Sequence, residues 1–122
     1  MRKPAKLITA ASAVAAMLGA LVLSAPVLAA DPAVLAEGKK IAENNRQGNC
    51  LACHMIEGAD MPGNIGPPLV AMKARFPDKA KLRAQLWDAT KANPNTMMPP
   101  FGKHAILTED QIDKVLEYIY TL

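Results

Sequence analysis

Three stretches of the chain space their apolar residues as amphipathic helices do, and no stretch shows the clear alternation of a half-buried strand. In the first, Val34, Gly38, Ile41 and Ala42 fall on one helix face. Asp31-Pro32 supplies a cap and a proline at the first helical position. A glycine on that face costs about 1 kcal/mol relative to alanine, which points to another element crossing closely there. Arg46-Gln47-Gly48-Asn49 breaks the helix. The second stretch starts at Asp78 after Pro77 and is predicted to run to about Ala92. Leu82, Leu86 and Ala89 mark its inner face, Trp87 lies beside them, and Asn93-Pro94-Asn95 ends it. In the third, Ile112, Val115, Leu116 and Ile119 follow i, i+3, i+4, i+7 over a helix predicted from Glu109 to about Thr121. Thr108 and Gln111 form its capping box, and Glu109 and Asp110 suit its positive end. Leu69 to Ala74 predicts a short helical turn.

The connections are long and stiff. From Gly58 to Pro68, six of eleven residues are glycine or proline, which excludes a regular helix or strand. Met97-Met98-Pro99-Pro100-Phe101-Gly102 is a second such stretch. Loops of this length in a small domain usually have a function, and wrapping the edge of a cofactor is one.

The beginning of the chain belongs to a different class. Arg2, Lys3 and Lys6 precede an apolar run from Leu7 to Leu23, followed by Ser24-Ala25-Pro26-Val27-Leu28-Ala29-Ala30. A basic start, an apolar stretch and small residues at a cleavage point describe a secretory signal peptide over residues 1–29, cut after Ala29 or Ala30. An uncleaved membrane anchor is the alternative, because the run is close to the minimum length of a span. Cleavage changes the charge. The whole chain carries 14 basic and 11 acidic residues, a net charge of +3, and the three basic residues named above leave with the signal. Residues 30–122 are then formally neutral, which gives no support to binding of nucleic acid or a membrane surface. Such a small domain is marginal in the surface it can bury, and its aromatic content is low, at 4% of the chain. A buried macrocycle would supply the missing core.

The only two cysteines lie in Cys50-Leu51-Ala52-Cys53-His54. C-x-x-C-H is the attachment signature of a c-type haem: two thiols bond one porphyrin edge and the adjoining imidazole sits under the iron. A thioredoxin-like redox pair would need a βαβ pattern, and a zinc site would need more cysteine or histidine than His104 alone. A proximal His54 needs an acceptor for its other ring N–H. Pro67 has a carbonyl and no N–H, so it suits that role; loop stiffening alone is the other reading of Pro67 and Pro68. Leu69 would pack on the porphyrin. The distal ligand must come from another segment. Met55 adjoins His54, Met61 lies in the proximal loop and Met72 packs in the core. Met97 and Met98 remain, with Met98 preferred because Pro99 biases it to an extended backbone. His104 is the rival. Trp87 would either hydrogen-bond a haem propionate or serve as a packing residue, and Arg75 would do the same or stay solvated.

The chain resembles the SoxX family, small monohaem cytochrome c subunits of the sulfur-oxidation SoxAX complex. The likeness rests on Gly48-Asn49-Cys50-Leu51-Ala52-Cys53-His54, Gly63-Asn64-Ile65-Gly66-Pro67-Pro68-Leu69, Arg75-Phe76-Pro77-Asp78 and Met97-Met98-Pro99-Pro100-Phe101-Gly102-Lys103. It continues through Ile106-Leu107-Thr108 and Tyr118-Ile119-Tyr120-Thr121-Leu122. The resemblance implies an all-α, class I cytochrome c fold over residues 30–122, with terminal helices crossing near Gly38. It implies one covalent haem c and a periplasmic heterodimer with a larger SoxA subunit that holds the catalytic haem. The complex would be an L-cysteine S-thiosulfotransferase that joins thiosulfate oxidatively to a cysteine of the SoxYZ carrier. This chain would be its electron-transfer subunit, passing electrons to a downstream cytochrome c, with no membrane insertion after signal cleavage. The ligand set would be Cys50, Cys53, His54 and Met98, and the chain has no spare thiol for nucleophilic chemistry. Free-standing periplasmic electron shuttle and haem-based ligand sensor are the other functions compatible with the motif.

Overall fold

The computed structural model describes residues 30–122, and the proposed signal peptide lies outside them. Helix α1 spans Pro32–Glu43, α2 Met72–Arg75, α3 Lys79–Trp87 and α4 Glu109–Ile119. One-turn 3₁₀ helices lie at Cys50–Ala52 and Ala89–Lys91, and there is no strand among the described residues. The all-α class expected from the sequence is what the chain adopts. No described helix is long and apolar enough to cross a membrane.

The ends of α1 and α4 follow their predicted caps. The Asp31 carboxylate accepts from Ala33 N at 2.8 Å, with Pro32 opening the helix. Thr108 Oγ1 accepts from Gln111 N at 3.2 Å while Gln111 Oε1 accepts from Thr108 N at 3.0 Å. Each such cap satisfies donors that the first turn leaves free. The inner face of α1 buries Gly38, Ile41 and Ala42, and that of α4 buries Ile112, Val115, Leu116 and Ile119. The two faces meet at Gly38. A Cβ there would lie 2.0 Å from the Lys114 carbonyl oxygen of α4, so the helix backbones touch at this point. Lys114 covers one side of the crossing, bridging Glu37 at 3.0 Å and Asp110 at 2.8 Å.

Helix α3 leans on α4. Leu82 and Leu86 enter the core, while Lys79 reaches Glu117 at 2.6 Å and Arg83 reaches Asp113 at 2.6 Å. It is shorter than predicted, ending at Trp87 rather than near Ala92. Asp88 leaves helical conformation at φ −151°, ψ 85°, and its side chain starts a separate turn by accepting from Thr90 N. Ala89 is still fully buried, as the helical pattern required, but from the new turn. Short α2 is entered from Ala71 in the left-handed region (φ 50°, ψ 41°), and Met72 N donates to the Leu122 carbonyl at 2.8 Å.

Gly38→Ala is expected to destabilise the folded chain by about 3 kcal/mol, the upper part of the overpacking range, because backbone rather than a flexible side chain must yield. Chemical denaturation of the haem-loaded protein measures it. A second expectation concerns alkaline pH. Buried Tyr118 donates to Glu43 Oε1 at 3.2 Å. Burial, and then the Glu43 charge, push its phenol from 10.0 up to about 12. The unfolded chain therefore loses this proton first. The stability contribution is intact below pH 10.0 and is lost as pH rises toward about 12. The slope for one proton approaches about 1.4 kcal/mol per pH unit. Denaturation midpoints across that window should fall less steeply in Tyr118→Phe than in the parent.

Candidate functional site

Gly48 N donates to Ile41 O at 3.1 Å, which turns the chain back along α1, and Asn49 follows at φ 49°, ψ 36°. The motif then winds as a tight turn: Cys53 N donates to Cys50 O at 3.2 Å and His54 N to the same oxygen at 2.9 Å. Residues three and four apart on such a turn share one side. Cys50, Cys53 and His54 accordingly line a single cavity of about 570 Å³. Before any cofactor is attached, burial pushes the Cys50 thiol up to about 11.

The proximal loop closes onto the motif through backbone bonds. Gly63 N donates to Leu51 O at 2.6 Å, Gly66 N to Cys53 O at 2.7 Å and Leu69 N to Met55 O at 2.9 Å. Gly66 lies flat against the imidazole: a Cβ there would sit 2.6 Å from His54 Cε1 and 2.7 Å from Nδ1. His54 Nδ1 stands 2.6 Å from the Pro67 carbonyl oxygen. A carbonyl only accepts, so Nδ1 carries the proton and Nε2 keeps its lone pair for a metal. Arg75 Nη1 in turn donates to the Pro68 oxygen at 2.6 Å, so its guanidinium braces this loop.

Other parts of the lining come from α3 and the segment after it. Leu82, Leu86, Met97, Met98 and Phe101 line the cavity, and Leu69 and Met72 close its apolar floor. Met97 is 78% exposed, whereas Met98 is half-buried against the core. Gln85 Nε2 approaches Met98 Sδ at 3.7 Å. Nothing in the hydrophobic pattern singles out Gln85, because its partner is thirteen residues away. His104 is exposed and takes no part in the cavity wall. Trp87 also lies off the wall: its ring covers Gly102, with Arg83 5.8 Å from the ring centroid. The ring packs, as one of its two sequence readings expects.

These residues fit a covalently held haem. The volume lies within the range of ligand cavities, roughly 300–1,000 Å³. The lining is largely apolar, and both cysteines, an oriented imidazole and the Met98 thioether belong to it. No three or more His, Cys, Asp or Glu side chains among the described residues are grouped to hold a bare metal ion.

The chain is similar to known proteins in sequence and in fold. Residues 35–122 match the cytochrome c family. The fold is similar to a chain of the crystal structure of SoxXA from P. pantotrophus, with a TM-score of 0.64 and 30% identity, covering 70% of this chain and 79% of that one. Over 84 residues the sequence is 30% identical to an uncharacterized lipoprotein of Aquifex aeolicus (strain VF5), covering 68% of this chain and 40% of that protein. It is 38% identical over 84 residues to the cbb3-type cytochrome c oxidase subunit CcoP of Azospirillum sp. (strain B510), covering 61% of this chain and 27% of that subunit. The chain thus spans less than half the length of either curated relative. One cofactor accounts both for the motif's place on this cavity and for the shared fold: the chain belongs to the cytochrome c family, is SoxX-like, and has haem c as its cofactor.

Proposed function

We propose that this chain is the periplasmic electron-transfer subunit of a complex that joins thiosulfate oxidatively to a carrier-protein cysteine. The observation that carries the reading is that His54 and Met98, from separate segments of the chain, line the same cavity. Cys50 and Cys53 are assigned the two thioether bonds, His54 the proximal position and Met98 the distal one. Pro67 holds the His54 Nδ1 proton and so keeps Nε2 directed to the metal. Arg46, on the cavity wall, offers a positive charge to acidic groups of the cofactor. Haem c supplies a one-electron couple, and a Met/His pair poises such a couple at raised potential. With His54 and Met98 both holding the group, substrate would have no place to bind on it, and this chain's part in catalysis would be electron removal. Joining thiosulfate to a thiol forms one S–S bond, releases one proton and removes two electrons. A larger SoxA-type cytochrome holds the reacting sulfur, the SoxYZ carrier brings the cysteine, and a further cytochrome receives the electrons. Residues 1–29 are assigned to export and residues 30–122 to the haem domain. The likeness to a cytochrome oxidase subunit favours a second reading, an electron relay to an oxidase without sulfur chemistry.

Affinity purification of the tagged chain from native periplasm separates the two. A larger haem protein should accompany it, and a deletion strain should lose thiosulfate oxidation. Recovery only as a free monomer, with thiosulfate oxidation intact in the deletion strain, would replace this function with the relay. Axial ligation is checked separately. Met98→Ala should abolish the red charge-transfer band of Met-ligated ferric haem and admit carbon monoxide rapidly to the ferrous protein. The potential should fall by on the order of 0.1 V, a modest part of the ~0.8 V that axial ligands span. Met97→Ala should leave all three readouts near those of the parent.

A further inference from the structure

We infer that Asp88 is a positioning residue that clamps the neck of the Met98 loop and thereby sets how readily the distal ligand lets go. Asp88 is the one buried charged side chain among the described residues, 3% exposed, and the electron-transfer site does not use it. Its carboxylate binds in two directions. Oδ1 accepts from Thr90 N at 3.2 Å and from the Thr90 hydroxyl. Oδ2 lies 3.1 Å from the Lys103 ammonium. The Thr90 hydroxyl first, and then Lys103, hold the carboxyl below the usual carboxylate range, so it is an anion at neutral pH.

The two sets of partners stand on the two sides of the loop that carries Met98. Thr90 belongs to the turn that launches the loop, where Lys91 N donates to Asp88 O at 3.2 Å and Asn93 N to Ala89 O at 3.1 Å. Lys103 stands where the loop returns. There Gly102 N and Lys103 N both donate to Trp87 O, at 3.1 and 3.2 Å. The Gly102 backbone rests on the Trp87 ring so closely that a Cβ would lie 2.2 Å from Cε3. Departure and return of the loop are therefore tied to adjacent residues at the end of α3. Within it, Met98 is held more weakly, by Gln85 at 3.7 Å and by its own N–H to Thr96 Oγ1 at 3.1 Å. Moving Met98 out of the cavity requires the neck to give, and Asp88–Lys103 is the charge-assisted contact that spans its two sides, the Thr90 bonds lying on the launching side alone.

This inference rests on Met98 as the distal ligand, and the experiment separates the two. Ferric haem-loaded protein is titrated with imidazole, which competes for the distal side. Four variants are compared with the parent: Asp88→Asn, Lys103→Gln, Lys103→Arg and Gly38→Ala. Asp88→Asn keeps an acceptor for Thr90 but removes the charge. Lys103→Gln changes only the half-exposed end of the pair and folds even if Asp88→Asn does not. Gly38→Ala destabilises the molecule at the helix crossing, away from the loop, and controls for lost stability. Apparent affinity for a competitor scales with the fraction of molecules whose loop is open, so Asp88→Asn and Lys103→Gln should each raise imidazole affinity about tenfold. Lys103→Arg should restore the parent value, and Gly38→Ala should leave it near the parent. A red charge-transfer band that survives Met98→Ala overturns the ligand assignment and the clamp together. A band lost in Met98→Ala, with imidazole affinity unmoved by Asp88→Asn and Lys103→Gln or moved equally by Gly38→Ala, overturns the clamp alone.

Discussion

At position 38 the α1 backbone touches the α4 backbone, with the space for a side chain already occupied by the Lys114 carbonyl. That contact fixes the relation of the first and last helices, and most of what lies between them is not regular structure. The turn before the haem motif and the start of α2 take their positions from this pair. The turn that launches the haem motif is bonded to Ile41 of α1, and α2 is bonded to the carbonyl of Leu122 beyond α4. Helix α3 rests on α4 through Leu82 and Leu86 and through ion pairs at its rim. The half-exposed pairs contribute little each. Burial of the apolar faces contributes far more, about 25 cal/mol for each square ångström removed from water.

The two sides of the cavity are built in different ways. On the His54 side, the motif and the glycine-proline loop that follows are close in sequence and are fastened by backbone hydrogen bonds. Nothing there needs a distant side chain except Arg75, which holds the Pro68 carbonyl. The Met98 side has no such ladder. Its loop is stiffened by proline and held at its ends by Trp87, Asp88 and Lys103. An imidazole fixed from within its own segment and a thioether held from a neighbouring helix differ in how easily each can be displaced. In the proposed electron-transfer reading, a rigid cavity also limits the rearrangement that accompanies a change of charge.

Much of this organisation was legible in the sequence. The cap at Asp31, the capping box at Thr108 and the buried faces of α1 and α4 follow from local chemistry and the period of the helix, so each could be read from a window of a few residues. The same holds for Cys50, Cys53 and His54, whose relation is set within one turn. Gly38 could be read as a crossing point because a glycine on an apolar helix face has few other uses. The end of α3 departs from its helical pattern because Asp88 competes with the helix by bonding Thr90 and Lys103, and the second of those contacts is not local. Trp87 was ambiguous for the same reason: only its neighbour Gly102, across the loop, decides which way the ring packs.

By itself, then, the sequence determined the helical class, the terminal helices, the haem motif and a candidate acceptor for its histidine. All of these depend on residues near one another along the chain. Only the tertiary structure decided that Met98 is half-buried on the cavity while Met97, at the same cavity, is largely exposed and His104 stays outside it. It also revealed Gln85 on the Met98 sulfur and Asp88 beneath the loop's neck. Those outcomes depend on how separate segments meet after the helices cross, and no local pattern encodes that meeting.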